Sequence, residues 1–121
     1  MKEKTMLNLF VIDWNEEDLF ENIDPFLKEG WNIGYEFKEE VFAKVNIENL
    51  KPDVIIIYLN NSPSKGRYAA QLIKKEDSIK DIPVIFVNGK PKDIIKAKKK
   101  FPNAIYTTSE HLKTVLLNLD E

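Results

Sequence analysis

Apolar residues fall along the chain in two alternating rhythms. Predominantly apolar runs such as MLNLFVI (6–12), DVIIIYL (53–59) and IPVIFVN (82–88) are short, and the latter two are rich in β-branched residues. They predict strands, since a buried helix needs a longer stretch. WNIGYEF (31–37) alternates Trp31, Ile33, Tyr35 and Phe37 and predicts a second strand, and NAIYTT (103–108) predicts a fifth. Between the strands, apolar residues recur every three or four positions, the spacing of a helix with one buried face.

The first such stretch opens with Asn15 as an N-cap and with Glu16, Glu17 and Asp18 in the first turn, where the helix dipole favours acids. Leu19, Phe20, Ile23, Phe26 and Leu27 form its inward stripe. Gly30 ends it, and Pro25 predicts a kink or a break. A second helix (39–50) is expected to bury Val41, Phe42, Val45 and Leu50, and a third (66–76) Ala69, Ala70, Leu72 and Ile73. The fourth (90–101) is basic. The fifth (109–120) is expected to be capped by Thr107 or Thr108, with Glu110 closing a capping box behind Thr107.

Alternating strands and helices joined by short loops require a parallel sheet with helices on both faces. The third and fourth strands show no polar alternation and belong in its middle. The predicted fold is α/β, a flavodoxin-like three-layer sandwich with five parallel strands in the order 2-1-3-4-5 and five helices, in one domain over 1–121. Its site lies at the C-terminal strand ends, here Asp13-Trp14, Tyr58-Leu59-Asn60, Asn88-Gly89 and Thr108-Ser109.

Composition narrows the classes. The chain has 121 residues, 43% hydrophobic and 31% charged, and no cysteine, which excludes disulfides, thiolate nucleophiles and cysteine zinc sites. No apolar stretch approaches the roughly 20 residues that span a bilayer, and the N-terminus lacks signal-peptide design, so the expectation is a cytoplasmic protein without membrane insertion. The net charge of −2 is unevenly spread: residues 1–50 hold 12 acids and 5 bases, a net of −7, whereas 51–121 hold 8 acids and 13 bases, a net of +5. Six of those bases lie between Lys90 and Lys100.

Four strings, taken in order, carry a resemblance. LFVIDWNEEDL, PDVIIIYLNNSPSKG and DIPVIFVNG, followed by AIYTTSEHL, resemble the receiver domains of two-component response regulators, the CheY-like superfamily, over essentially the whole chain. In that family, two acids at the first strand and a phospho-accepting aspartate at the third bind Mg²⁺. A Thr or Ser and a Lys then hold the phosphoryl group. The resemblance pairs Asp13 with the first acid, but Trp14 stands at the second acid, Tyr58 at the phospho-acceptor, Asn88 at the Thr/Ser and Ser109 at the Lys. Tyr106 keeps the family's aromatic switch position.

These departures change the chemistry. A phenol with an ordinary pKa of about 10 has no activating base here and forms no acyl phosphate. One carboxylate among amides and hydroxyls is a poor Mg²⁺ site. The chain is therefore expected to be a degenerate receiver, or pseudo-receiver: not an enzyme, with no cofactor or metal, and not competent for Mg²⁺-dependent aspartyl phosphorylation. Asp13 is expected to cap the first helix or to accept loop amides. The Tyr58 ring is expected to fill the phosphate pocket, with its hydroxyl on Asn88 or Ser109 and Trp14 covering the crevice.

The implied mode of action is protein–protein contact. Lys92, Lys96, Lys99, Tyr106 and His111 are candidates for a docking face made by the fourth helix, fifth strand and fifth helix, taking an acidic signalling or output protein or a second copy of the chain. Two alternatives remain. One is a small-molecule or nucleotide sensor in the crevice of Asp13, Trp14, Tyr58 and Asn88. The other is a nucleic-acid-associated domain using the Lys90–Lys100 helix, disfavoured because no DNA-reading motif accompanies it.

Overall fold

The computed structural model of the protein describes residues 6–119. Ten elements alternate along the chain: β1 (Asn8–Ile12), α1 (Glu16–Lys28), β2 (Asn32–Glu36), α2 (Glu40–Leu50), β3 (Val54–Tyr58), α3 (Pro63–Lys74), β4 (Val84–Val87), α4 (Pro91–Lys100), β5 (Ile105–Thr107) and α5 (Leu112–Leu119). The five strands form one parallel sheet in the order β2-β1-β3-β4-β5, as the alternation predicts. Every residue of β3 and β4 is buried, which matches their apolar character on both faces.

Side-chain alternation divides the core between the two faces of the sheet. Phe10, Ile12, Ile55, Ile57, Leu59 and Phe86 pack with Ala43 and Ile47 of α2, the alanines of α3 and Ala97 of α4. Val11, Ile56, Tyr58, Ile85 and Val87 pack with Leu19 and Ile23 of α1 and Leu112 and Leu116 of α5. Each fully buried aliphatic side chain contributes about 1.5–3 kcal/mol, so these two layers supply the main drive to fold.

Asn15 caps α1 as expected, its side chain accepting the Asp18 N–H at 2.9 Å. Gly30, at φ +89, takes the left-handed turn that closes the helix. Other expectations are corrected. Pro25 does not break α1, which runs unbroken past it with the ring on the exposed side. Phe20 and Leu27 are not buried. Phe20 instead meets Tyr35 edge to face at 5.2 Å on the surface over β2.

The buried face of α2 is the reverse of the expected one. Val41, Phe42, Val45 and Leu50 are all exposed, while Ala43 and Ile47 point inward. The helix carries apolar residues all round, so its neighbours choose the face. Ala43 is small enough to lie in the cluster that holds Ala69 and Ala70 of α3. The Glu36 carboxylate accepts the N–H groups of Lys38 and Glu39, which fixes how the helix starts.

α3 starts three residues earlier than expected, because Pro63 sits at N1 where its missing N–H is harmless. Leu72 on this helix is half-buried rather than inward. α5 starts at Leu112, so Glu110 precedes the helix and forms no capping box. The Ser109 N–H instead donates to the Asn88 side chain at 3.0 Å, which draws this segment toward β4. The predicted end of this helix at 120 lies outside the described residues.

Candidate functional site

β1 ends one residue before Asp13, and its carboxylate turns inward until it is 0% exposed. Three amides meet it. The Asn15 N–H donates to Oδ1 at 3.3 Å, Asn61 Nδ2 to Oδ1 at 3.0 Å and Asn22 Nδ2 to Oδ2 at 3.2 Å. Asn61 also donates to Asp18 Oδ2 at 2.8 Å, so one amide bridges two acids and ties the β3–α3 loop to α1. Burial raises the Asp13 pKa above the ordinary carboxylate range; the three amide bonds oppose the shift, and the Asp18 charge reinforces it. The expectation that Asp13 accepts loop amides is met, with Asn22 on α1 as an added donor.

Tyr58 closes β3, in register with Val87 of β4. It shares its strand face with Val54 and Ile56, so its ring enters the apolar layer with Leu19, Leu112 and Leu116. It is 2% exposed. Burial, and after it the Asp13 charge, pushes the phenol well above its usual pKa, so the hydroxyl stays neutral. The expected bond to Asn88 or Ser109 does not form. Those two residues are taken up with each other, and Asn88 stands at φ +61 ahead of Gly89 at φ +103.

Trp14 leans to the opposite side of the sheet, against the layer of α2, α3 and α4. The ammonium of Lys65 lies over its ring at 4.5 Å. The same ammonium donates to the Lys38 carbonyl at 3.0 Å and stands 3.9 Å from Glu40 Oε1. Lys65 thus ties α3 to the start of α2 across Trp14. The indole N–H is enclosed and has no hydrogen-bond partner among the described residues.

The five crevice positions therefore separate. Asp13 and Tyr58 are electrostatic neighbours, Asn88 and Ser109 bond each other, and Trp14 belongs to the far layer. As a metal site the arrangement fits poorly. Both Asp13 oxygens already accept amide bonds, an indole and a neutral phenol occupy the adjacent positions, and no cluster of three or more acids or histidines is placed to hold an ion among the described residues.

On α4, Lys92, Lys96 and Lys99 are exposed and lie at i, i+4 and i+7, one stripe beside the buried Asp93 and Ala97. His111 is exposed just before α5. Tyr106 is half-buried: its ring stacks on Phe86 at 5.3 Å and its hydroxyl donates to the Phe101 carbonyl at 2.9 Å. Burial pushes its pKa up to about 12. Of the five candidate docking residues, it alone is drawn into the core.

Solved structures with this architecture are numerous. Chemotaxis protein CheY4 of Vibrio cholerae matches with a TM-score of 0.75 at 15% identity, over 94% of this chain and 98% of that one. The fold is that of a CheY-like receiver domain. A response regulator from Desulfuromonas acetoxidans gives a TM-score of 0.74 at 19% identity, over 93% and 94% of the two chains. The N-terminal domain of a response regulator receiver protein from Methanoculleus marisnigri gives 0.68 at 16%, over 86% and 83%. No protein-family model matches the sequence, and no curated protein matches it.

Sequence reasoning missed the residues that hold this end of the receiver fold shut. Asn22, Asn61 and Lys65 are the partners of Asp13 and Trp14. The paired asparagines after the third strand, Asn60 and Asn61, were the available signal. Arg67 and Asp93 were also missed: Asp93 is 8% exposed in the first turn of α4, its carboxylate 3.9 Å from the Arg67 guanidinium on α3. A lone Asp at the start of a basic helix gives no sign of burial.

Proposed function

We propose that the protein is a receiver-like signalling module that acts by docking on a protein partner and does not undergo aspartyl phosphorylation. The observation that carries this reading is Tyr58. A neutral, buried phenol stands where the resemblance places the phospho-acceptor, and its ring belongs to the α1–α5 layer rather than to an open pocket. The neighbouring carboxylate, Asp13, is fully enclosed by amides, which weighs against a metal there and against the sensor reading of the same crevice. The likeness to response regulators supports a signalling role, and the exposed Lys92, Lys96 and Lys99 stripe supports an acidic partner surface or a second copy of the chain.

The test is amide NMR with Mg²⁺ and beryllofluoride, a phosphoryl mimic, and in parallel with acetyl phosphate. The expected result is an unchanged spectrum at residues 13, 58 and 88. Clear shifts there, or a mass gain of one phosphoryl group, would sink the reading.

A further inference from the structure

The opposite end of the sheet holds a cavity of ≈ 550 Å³ between the last turns of α3 and α4 and the segments entering β4 and β5. Lys74, Lys80 and Lys100 line it, with Asp81 and Asn103. The three lysines come from the end of α3, the α3–β4 connection and the end of α4. No helical period joins them; the fold does. Three cations against one acid leave the cavity with a formal charge of +2, and the field of a concave, partly apolar site concentrates such charge.

The ammonium groups are also unevenly satisfied. Lys74 Nζ donates to the carbonyls of Lys80 at 3.0 Å and Ile82 at 3.4 Å, which leaves one of its three hydrogens. Burial lowers its pKa, the sign of an ammonium partly stripped of water. Among the described residues Lys80 pairs only with Asp77, at 3.3 Å, an acid whose side chain is 93% exposed and which holds it weakly. Lys100 has no ion-pair partner among the described residues. Lysines at helix C-termini complement the helix dipole, which accounts for Lys74 and Lys100 singly. It does not account for Lys80 or for the three meeting at one cavity.

We propose that this cavity binds a small dianionic ligand of the phosphate class, its phosphoryl oxygens on Lys74, Lys80 and Lys100 and any organic part on Phe101, Pro102 and Ala104. Lysine suits this as a compact charge with rotatable donors, and the lining joins a few polar groups to an apolar wall, as small-ligand sites do. The site lies away from the Asp13–Tyr58 end, so it stands or falls independently of the signalling reading.

Titration of the full chain with pyrophosphate and with ADP, followed by amide NMR and calorimetry, tests it. Shifts are expected at Lys74, Lys80 to Val84 and Lys100 to Ala104. Lys74→Ala uncaps two carbonyls and risks the fold, so the deciding variant is the exposed pair Lys80→Ala/Lys100→Ala. It should weaken binding at least ~10-fold, the loss of a charge-assisted contact, while Lys96→Ala/Lys99→Ala leaves it unchanged. Tighter binding of ADP than of pyrophosphate would assign the organic part to the apolar wall. Absence of shifts with both probes at millimolar concentration overturns the site. So do shifts spread along α4 that Lys96→Ala/Lys99→Ala removes equally, which would be diffuse attraction to a basic helix.

Discussion

At the C-terminal ends of β1 and β3, Asp13 and Tyr58 are shut away from water, one among amides and one among aliphatic side chains. At the N-terminal ends of β4 and β5, three lysines border an open cavity. The difference shows how one sheet can spend polarity in two ways. A charge enclosed at one end must be matched by donors already present, because desolvation penalises it. A charge left at the rim of a cavity needs no internal partner and stays available to something outside. In this chain the charge at the C-terminal strand ends is matched by donors within the fold, and the charge at the opposite end is left at the rim of a cavity.

The largest break in this comparison is expected from Tyr58→Ala. Removing a buried aromatic ring from the α1–α5 layer should cost about 3–5 kcal/mol, measured as a shift in urea midpoint. A loss under about 1 kcal/mol would mean that the ring is not part of the core. Next comes Asp13→Ala, which leaves the Asn22 amide and the Asn15 N–H without their acceptor, while Asn61 keeps Asp18, and should cost about 1–3 kcal/mol. Asp13→Asn retains an acceptor oxygen and should lose less.

Asp13 also predicts a pH dependence. Its folded pKa is raised, so the folded state holds the proton more tightly than the unfolded chain. Its contribution therefore strengthens the fold as pH falls through the raised pKa, levels off below the unfolded carboxylate pKa, and is lost as pH rises. Subtracting the Asp13→Asn profile from the wild-type profile isolates this slope from the other acids. A difference of opposite sign would show that the amide bonds outweigh desolvation. The smallest effect is expected from Tyr58→Phe. The hydroxyl bonds neither Asn88 nor Ser109, so stability should change by no more than about 0.5 kcal/mol. A larger loss would show that the hydroxyl itself anchors the ring.

The same contrast marks what the sequence made legible. The interior place of β3 and β4 was readable because their residues are apolar on both strand faces, and the strand order because the β-α alternation fits a flavodoxin-like sheet. The address of Tyr58 was readable for the same reason. Its surroundings were not: whether its hydroxyl meets Asn88 depends on where Asn88 turns, and a positive φ hands that side chain to Ser109 instead. The buried face of α2 was misread because Val41, Phe42 and Val45 fit a helical stripe as well as Ala43 and Ile47 do. Packing against the alanines of α3 decided between them, and no periodicity within α2 carries that information. The lysines of the lower cavity lie up to 26 residues apart in the chain and signal nothing until α3 and α4 are set side by side.

Trp31 and Trp14, the two tryptophans of the chain, sit in unlike surroundings. Trp31 is 5% exposed, edge-on to Phe26, with its indole N–H on Glu29. Trp14 is half-buried beneath the Lys65 ammonium. Under ultraviolet excitation the first indole therefore reports whether the α1–β2 core is intact, and the second whether Lys65 still covers the Trp14 ring. A binding event that lifts Lys65 without loosening the core would shift the emission of one indole and leave the other as an internal reference.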